Sequence, residues 1–376
     1  MSPRAIALAC AAAALAVCGI AAFAEASEHG SVTVLVHMSS GEPMAAVARK
    51  TDPSFVFVDI QAHYDGVYFY AMARDPFARG REHMLLDRPA YRYGHVGFAW
   101  IVWLATLGRA SLIPSALLGV SLLGAAVSGF AASRWADELG WSPWWGLAVA
   151  LSPGIVYAVT ADTSEPVAFA IVALALLAWT RQRWLLAGIG FAAACLTKEP
   201  LLVVPVGVAL WELRNHARSS DSRTAGKLAA LAIGPIVFLL WYAYLRHTFG
   251  VWPFQQEAKD YFTVPYAGWF DSMRRAASLA TGTFNSSQLG NAAIPLLAVF
   301  AAALTIGLVR AARLKTFLDP VFALSAILIL SLNWLGVLYP KDLIRESAIT
   351  MLILPAAVAG RRQARNPAPP PQAEPA

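Results

Sequence analysis

The stretch AIALACAAAALAVCGIAAFA, residues 5–24, carries no charge between Arg4 and Glu25. At 1.5 Å per helical residue, about twenty apolar residues reach across the ~30 Å hydrocarbon core of a bilayer. The run shows no period-2 alternation, and lipid offers no hydrogen-bond partners to an open strand. A transmembrane helix is therefore the expected structure. The motif Ala22-Phe23-Ala24-Glu25 also reads as a signal-peptide cleavage site, so residues 1–24 are either an N-terminal transmembrane anchor or a signal sequence. Both readings put residue 25 outside the cytoplasm.

Similar runs recur near 95–108, 112–131, 143–160, 165–180, 183–196, 199–213, 226–245, 290–309, 319–338 and 345–360. With 58% hydrophobic residues, 14% charged residues and a mean hydropathy of +0.54, the chain cannot hide its apolar surface in a water-soluble globule. The expected class is all-α: a polytopic transmembrane helical bundle. The net charge of +6 comes from short Lys and Arg clusters between apolar runs, a pattern that orients helices in membranes and argues against nucleic-acid binding. Cys10, Cys18 and Cys195 lie within apolar runs, lack metal-ligand spacing, and read as small core residues.

Cationic short loops mark the cytoplasmic side: Arg134, Arg181 and Arg183, the Arg214–Lys227 stretch, Arg310, Arg313 and Lys315, and Arg361, Arg362 and Arg365. Alternation back from these loops leaves one crossing too many before Arg134. The fourteen-residue run 95–108 is taken as an interfacial helix, which gives about ten spans with both termini inside. The expected organisation is then an extracytoplasmic loop over 25–111 with the candidate catalytic motif, a transmembrane bundle over 112–245, a second outer loop over 246–289, C-terminal transmembrane helices over 290–360, and a disordered cytoplasmic tail over 361–376. The second loop contains Trp269-Phe270-Asp271-Ser272-Met273-Arg274-Arg275, read as a surface helix on lipid headgroups. No loop is large enough for a core of its own.

This topology gathers polar residues on one outer face: Asp162 and Glu165, Lys198 and Glu199, Arg246 and His247, and Lys341, Asp342, Arg345 and Glu346. Individually they read as helix-end charges that snorkel to the interface. Together they can line a wet cavity where cations hold phosphate and carboxylates manage protons. In the first loop, Asp65 precedes Gly66, which permits close backbone approach, and sits among Tyr64, Tyr68, Phe69 and Tyr70. Apolar walls would raise its pKa toward neutrality, as suits a general base. The alternative is that Asp65 only caps the helix beginning at Val67. Likewise, Glu199 before Pro200 suits a helix start, His63 is either an assistant to Asp65 or polar surface, and Asp162 and Glu165 either orient an acceptor or pair with Lys198. Asn285-Ser286-Ser287 matches a glycosylation acceptor pattern to which no role is attached.

The segments Tyr64-Asp65-Gly66-Val67-Tyr68-Phe69-Tyr70, Leu86-Asp87-Arg88-Pro89-Ala90-Tyr91-Arg92-Tyr93, Asp162-Thr163-Ser164-Glu165-Pro166 and Leu196-Thr197-Lys198-Glu199 resemble motifs of the bacterial cell-surface glycopolymer formation proteins. These belong to the GT-C superfamily of multi-span glycosyltransferases. The resemblance implies a GT-C-like fold in the bacterial cytoplasmic membrane. It also implies transfer of a sugar, with inversion, from a polyprenyl-phosphate donor to a glycan, lipid or protein acceptor at the outer face. A first-loop acid is the family's usual base, which maps to Asp65, with Asp59 second because no glycine follows it. The leaving phosphate implies cations, for which Lys198, Arg345, Arg246 and Arg92 are candidates. His63, Tyr64, Asp162, Glu165 and Glu199 complete the expected substrate-binding set. The Asp-x-Asp pair of some superfamily members is absent from the loop, so neither metal nor cofactor is expected. A flippase for lipid-linked saccharide would also need charges among helices, and a non-catalytic scaffold of a cell-wall assembly complex would need none of this chemistry. The one-sided charge and the absence of an inverted repeat favour the transferase.

Overall fold

The computed structural model describes residues 1–219, 222–256, 261–280, 286–339, 342–348, 350 and 353. Lys341, Asn285 and the tail lie outside the described residues. Among the described residues the fold is all-helical, with isolated bridges and no strand.

The first apolar run forms a helix over Pro3–His29. Ser2 caps its start by accepting from the Ala5 amide, and Gly30 closes it in the left-handed region. The helix continues without a break through Ala22-Phe23-Ala24-Glu25. Its small face, Ala7, Cys10, Ala14, Cys18 and Ala22, is fully or almost fully buried, and the helix packs on Ile113–Glu138. Leu8, Leu15, Ile20 and Phe23 point outward and are about half to three-quarters exposed. Leu185, Leu186 and Ile189, and Leu239 and Leu240, are similarly bare on other helices. An apolar exterior around a packed interior is stable only in lipid, so the chain is an integral membrane protein.

Among the described residues, four helices are long and apolar enough to cross a bilayer: Pro3–His29, Ala110–Glu138, Thr224–Phe249 and Ala293–Ala311. Three further apolar helices, Glu165–Thr180, Trp184–Thr197 and Leu318–Leu330, have 16, 14 and 13 residues. The run 143–160 is split. Helices Trp145–Ala150 and Pro153–Thr160 meet at Leu151-Ser152, because Pro153 has no amide to continue the ladder and is tolerated only in a first turn. The run 95–108 becomes the ten-residue helix Gly97–Thr106, about 15 Å long and too short to span.

Two large apolar cores lie among the described residues. One fills the space between Pro3–His29, Ile113–Glu138, Glu165–Thr180, Trp184–Thr197 and Leu318–Leu330. The other lies under the first loop and includes Met44, Phe55, Tyr70, Tyr93 and Phe98. The loop thus has a packed core, but one completed by Leu117, Val167, Leu196, Trp241 and Leu245 of the bundle. Hydrogen bonds fix this docking: Trp241 Nε1 donates to the Tyr93 carbonyl at 2.8 Å, and Tyr93 Oη to the Asp75 carbonyl at 2.6 Å.

The helix Ala267–Ala280 is more deeply set than a surface helix. Trp269 is buried and donates through Nε1 to the Ile329 carbonyl at 3.1 Å, and Arg275 stacks 4.0 Å above the Trp334 ring, while Phe270 faces out. Cys10, Cys18 and Cys195 are free and buried, as small core residues should be.

Candidate functional site

Gly66 seats the candidate motif. A Cβ at this position would lie 2.7 Å from the Val36 carbonyl oxygen and 2.8 Å from that of Ala161. Only glycine lets the start of helix Gly66–Arg74 press against both backbones. His37 reinforces the seat, its ring nitrogens 3.0 and 3.3 Å from the Ala62 and Thr160 carbonyl oxygens. Asp65 therefore stands at the N-terminus of this helix, yet its side chain makes no capping hydrogen bond.

The Asp65 carboxylate is turned instead toward two guanidinium groups. Arg345 Nη1 donates to Asp65 Oδ2 at 2.8 Å, and Arg92 Nη1 lies 3.5 Å from Oδ1. Burial acts to raise the Asp65 pKa, but Arg345 and then Arg92 outweigh it and hold the carboxyl below the usual aspartate value. The elevated pKa expected from apolar walls is thus reversed, because the walls carry two cations.

Behind Asp65 the charges close into a ring. Lys198 Nζ donates to Glu165 Oε1 at 2.7 Å and to Glu346 Oε1 at 3.1 Å. Arg345 reaches the same two carboxylates, through Nε at 3.4 Å and Nη2 at 3.5 Å, and its Nη2 lies 3.9 Å from Asp342. Tyr64 donates to Asp342 and lies under the Arg345 guanidinium, 5.1 Å from ring centroid to Cζ. Arg92 lies flat on Tyr68, 3.4 Å from its ring centroid, and contacts Asp87 at 3.3 Å. Each of these three cations contacts at least two carboxylates, so an incoming anion has to compete with them.

Apart from Tyr68 and Asp87, these groups line a cavity of about 530 Å³. It also has aromatic and apolar walls, with Phe69, Phe238, Tyr261, Phe262, Leu328 and Leu335 among them. Such a space holds a small polar group against the charges and an apolar chain alongside it. Among the described residues no three His, Cys, Asp or Glu side chains converge as a metal-ligand set.

Of the residues singled out in the sequence, Tyr64, Asp65, Arg92, Glu165, Lys198, Glu199 and Arg345 share this cavity. Four others do not. Asp59 and Arg246 are exposed and away from it. His63 pairs instead with Glu42, Nδ1 to Oε1 2.6 Å, and touches Tyr68 Oη at 3.3 Å. Asp162 does not pair with Lys198. It is fully buried, neither carboxyl oxygen has a hydrogen-bond partner, and its backbone takes a left-handed φ of +48°.

The sequence reading did not single out His95 or Tyr242, which also line the cavity, nor Tyr261 at its apolar side. For His95 a local signal existed: it stands three residues after Arg92, one helical turn on. For Tyr242, in the middle of an apolar span, no such signal existed. No protein-family model matches the chain, and no curated protein matches it.

Proposed function

We propose that this protein is a membrane glycosyltransferase that moves a sugar from a polyprenyl-phosphate donor to a hydroxyl acceptor at the extracytoplasmic face, in assembly of a bacterial cell-surface glycan. The observation that carries the reading is the pairing of Asp65 with Arg345 and Arg92 in one cavity that also has apolar and aromatic walls. The resemblance of the first-loop motifs to the glycopolymer formation proteins supports it.

In this reading the donor phosphate takes up the guanidinium groups of Arg345 and Arg92 and frees the ionised Asp65 from them. Loss of those contacts raises the basicity of the carboxylate. Asp65 accepts the proton of the acceptor hydroxyl as its oxygen bonds to the anomeric carbon. The bond from that carbon to the phosphate oxygen breaks, and its electron pair stays on the phosphate, facing the arginines. Lys198, held by Glu165 and Glu346, supports Arg345 from behind.

The same reading keeps ten crossings in the bacterial inner membrane, with the cavity outside. The helices of 13 to 16 residues are about 20–24 Å long, so they cross only where the bilayer thins or where they lie buried among longer neighbours. The uninterrupted Pro3–His29 helix supports the anchor reading of the N-terminus.

Purified protein supplied with polyprenyl-phosphate sugars tests this. Asp65→Asn should abolish transfer while thermal unfolding stays cooperative. Full activity in that variant removes Asp65 as the base, and movement of lipid-linked saccharide across proteoliposomes without a new glycosidic bond replaces the reading with a flippase.

A further inference from the structure

His95 and Glu199 line the cavity but stand outside the ion-pair ring around Arg345. Arg92 and His95 end the two consecutive helical turns Pro89–Arg92 and Tyr93–His95, so a three-residue step places both side chains on the same side of the segment. The imidazole is held edge-on to Phe69 and Tyr91, with ring centroids 5.8 and 5.7 Å away. Its Nδ1 lies 3.0 Å from Glu199 Oε2.

Gly94 makes the arrangement possible. A Cβ there would stand 3.1 Å from the Tyr242 hydroxyl and 3.4 Å from Glu199 Oε1. Without one, Tyr242 and Glu199 close directly onto the backbone that presents His95. One carboxylate oxygen and the phenol hydroxyl thus meet at Gly94, and the other oxygen meets the imidazole. The imidazole is thus set beside the Glu199 carboxylate at the cavity wall.

The two walls of the cavity differ in chemistry. Arg92 and Arg345 suit an anion, whereas the Glu199 carboxylate disfavours one. A carboxylate, an imidazole nitrogen and a phenol hydroxyl beside aromatic rings suit a ring bearing several hydroxyls, because each hydroxyl both donates and accepts. We propose that His95, Glu199 and Tyr242 form a saccharide subsite, one helical turn from Arg92, that grips ring hydroxyls and sets the orientation of the sugar relative to Asp65. This inference rests on the glycosyl-transfer reading for the identity of the ring. The ring belongs either to the donor or to the acceptor.

Two measurements test it in the full-length protein in detergent. Saturation-transfer NMR with a panel of methyl glycosides of common hexoses and pentoses should give a signal with wild type and with Asp65→Asn, and lose it with His95→Gln and Glu199→Gln. Gly94→Ala should weaken it, because the new methyl pushes on Tyr242 and Glu199. In transfer assays Glu199→Gln should raise one KM by about tenfold with a smaller change in kcat, as loss of a hydrogen bond to a charged group predicts. A rise confined to the donor KM places the donor sugar in the subsite, and a rise confined to the acceptor KM places the acceptor there. Absence of any glycoside signal in wild type, or wild-type signals and KM values in both His95→Gln and Glu199→Gln, overturns the subsite. If those variants behave as expected while Asp65→Asn transfers at full rate, the subsite stands and the assignment of Asp65 as the base fails. If Asp65→Asn is inactive and the other variants are normal, the reverse holds.

Discussion

Arg345 Nη1 donates to Asp65 Oδ2 at 2.8 Å across 280 residues of chain, and the same guanidinium reaches Glu165, Asp342 and Glu346. One side chain thus balances four carboxylates at 9% exposure. Arg345→Ala should destabilise the protein by about 3–5 kcal/mol, because it strands partly buried carboxylates without their cation. Arg345→Lys keeps the charge but not the planar fork, so it should retain most of the fold and lose transfer by roughly 10²-fold. Thermal unfolding in detergent, read beside turnover, separates the two. Equal melting of Arg345→Ala and wild type would count against the network.

Gly66 and Gly119 make a matched pair. An added methyl at Gly66 meets two backbone carbonyls below 3 Å, whereas at Gly119 it meets nothing within 4 Å. Gly66→Ala should cost about 1–3 kcal/mol and displace Asp65. Gly119→Ala, inside the helix Ile113–Glu138, should be neutral or stabilise by roughly 0.5–1 kcal/mol. Melting temperatures of the two variants check the sign of each change.

His63 is coupled to Glu42 by a 2.6 Å contact. The hydrogen bond that the imidazole donates to Glu42 outweighs burial and lifts the His63 pKa above its ordinary 6.5. A raised histidine pKa means that the pair stabilises the fold fully below pH 6.5 and loses that contribution as pH rises through the folded value. The NMR titration midpoint of His63 should therefore exceed 6.5 and fall in Glu42→Gln. An unchanged midpoint in the variant would separate the two residues.

Asp162 presents the opposite environment. Burial without partners pushes its carboxyl well above the usual aspartate pKa and favours the neutral acid. That raised value makes the fold most comfortable below the unfolded pKa and progressively less stable as pH climbs through the folded one. Asp162→Asn tolerates the left-handed backbone and should flatten the loss of stability that sets in as pH rises above the ordinary aspartate value of 3.8. Asp162→Val, β-branched at φ +48°, should cost about 1–3 kcal/mol at low pH, where Asp162 is neutral, and less as pH rises.

The orientation has its own test. Cys10, Cys18 and Cys195 are buried and give little background to a thiol reagent. Asp59→Cys and Arg246→Cys should react with a membrane-impermeant maleimide on intact cells, and His216→Cys only after permeabilisation, since all three positions are exposed. Labelling of His216→Cys from outside would put the cavity on the cytoplasmic face.

The sequence by itself determined the membrane solvent, the helical class and the special character of Asp65-Gly66. Apolar length and a glycine before a helix are local properties, legible wherever they occur. It also placed Glu165, Lys198 and Arg345 at related helix ends. It did not separate Asp162 from Glu165, three residues apart, one buried alone and the other bound to Lys198 and Arg345. Nor did it join His95 to Glu199, or show that two arginines would hold the Asp65 pKa down instead of letting apolar walls raise it. Hydropathy reports how deep a residue lies along a helix, but which charge it meets depends on the rotation and packing of helices far apart in the chain. Only the tertiary structure decided those partners.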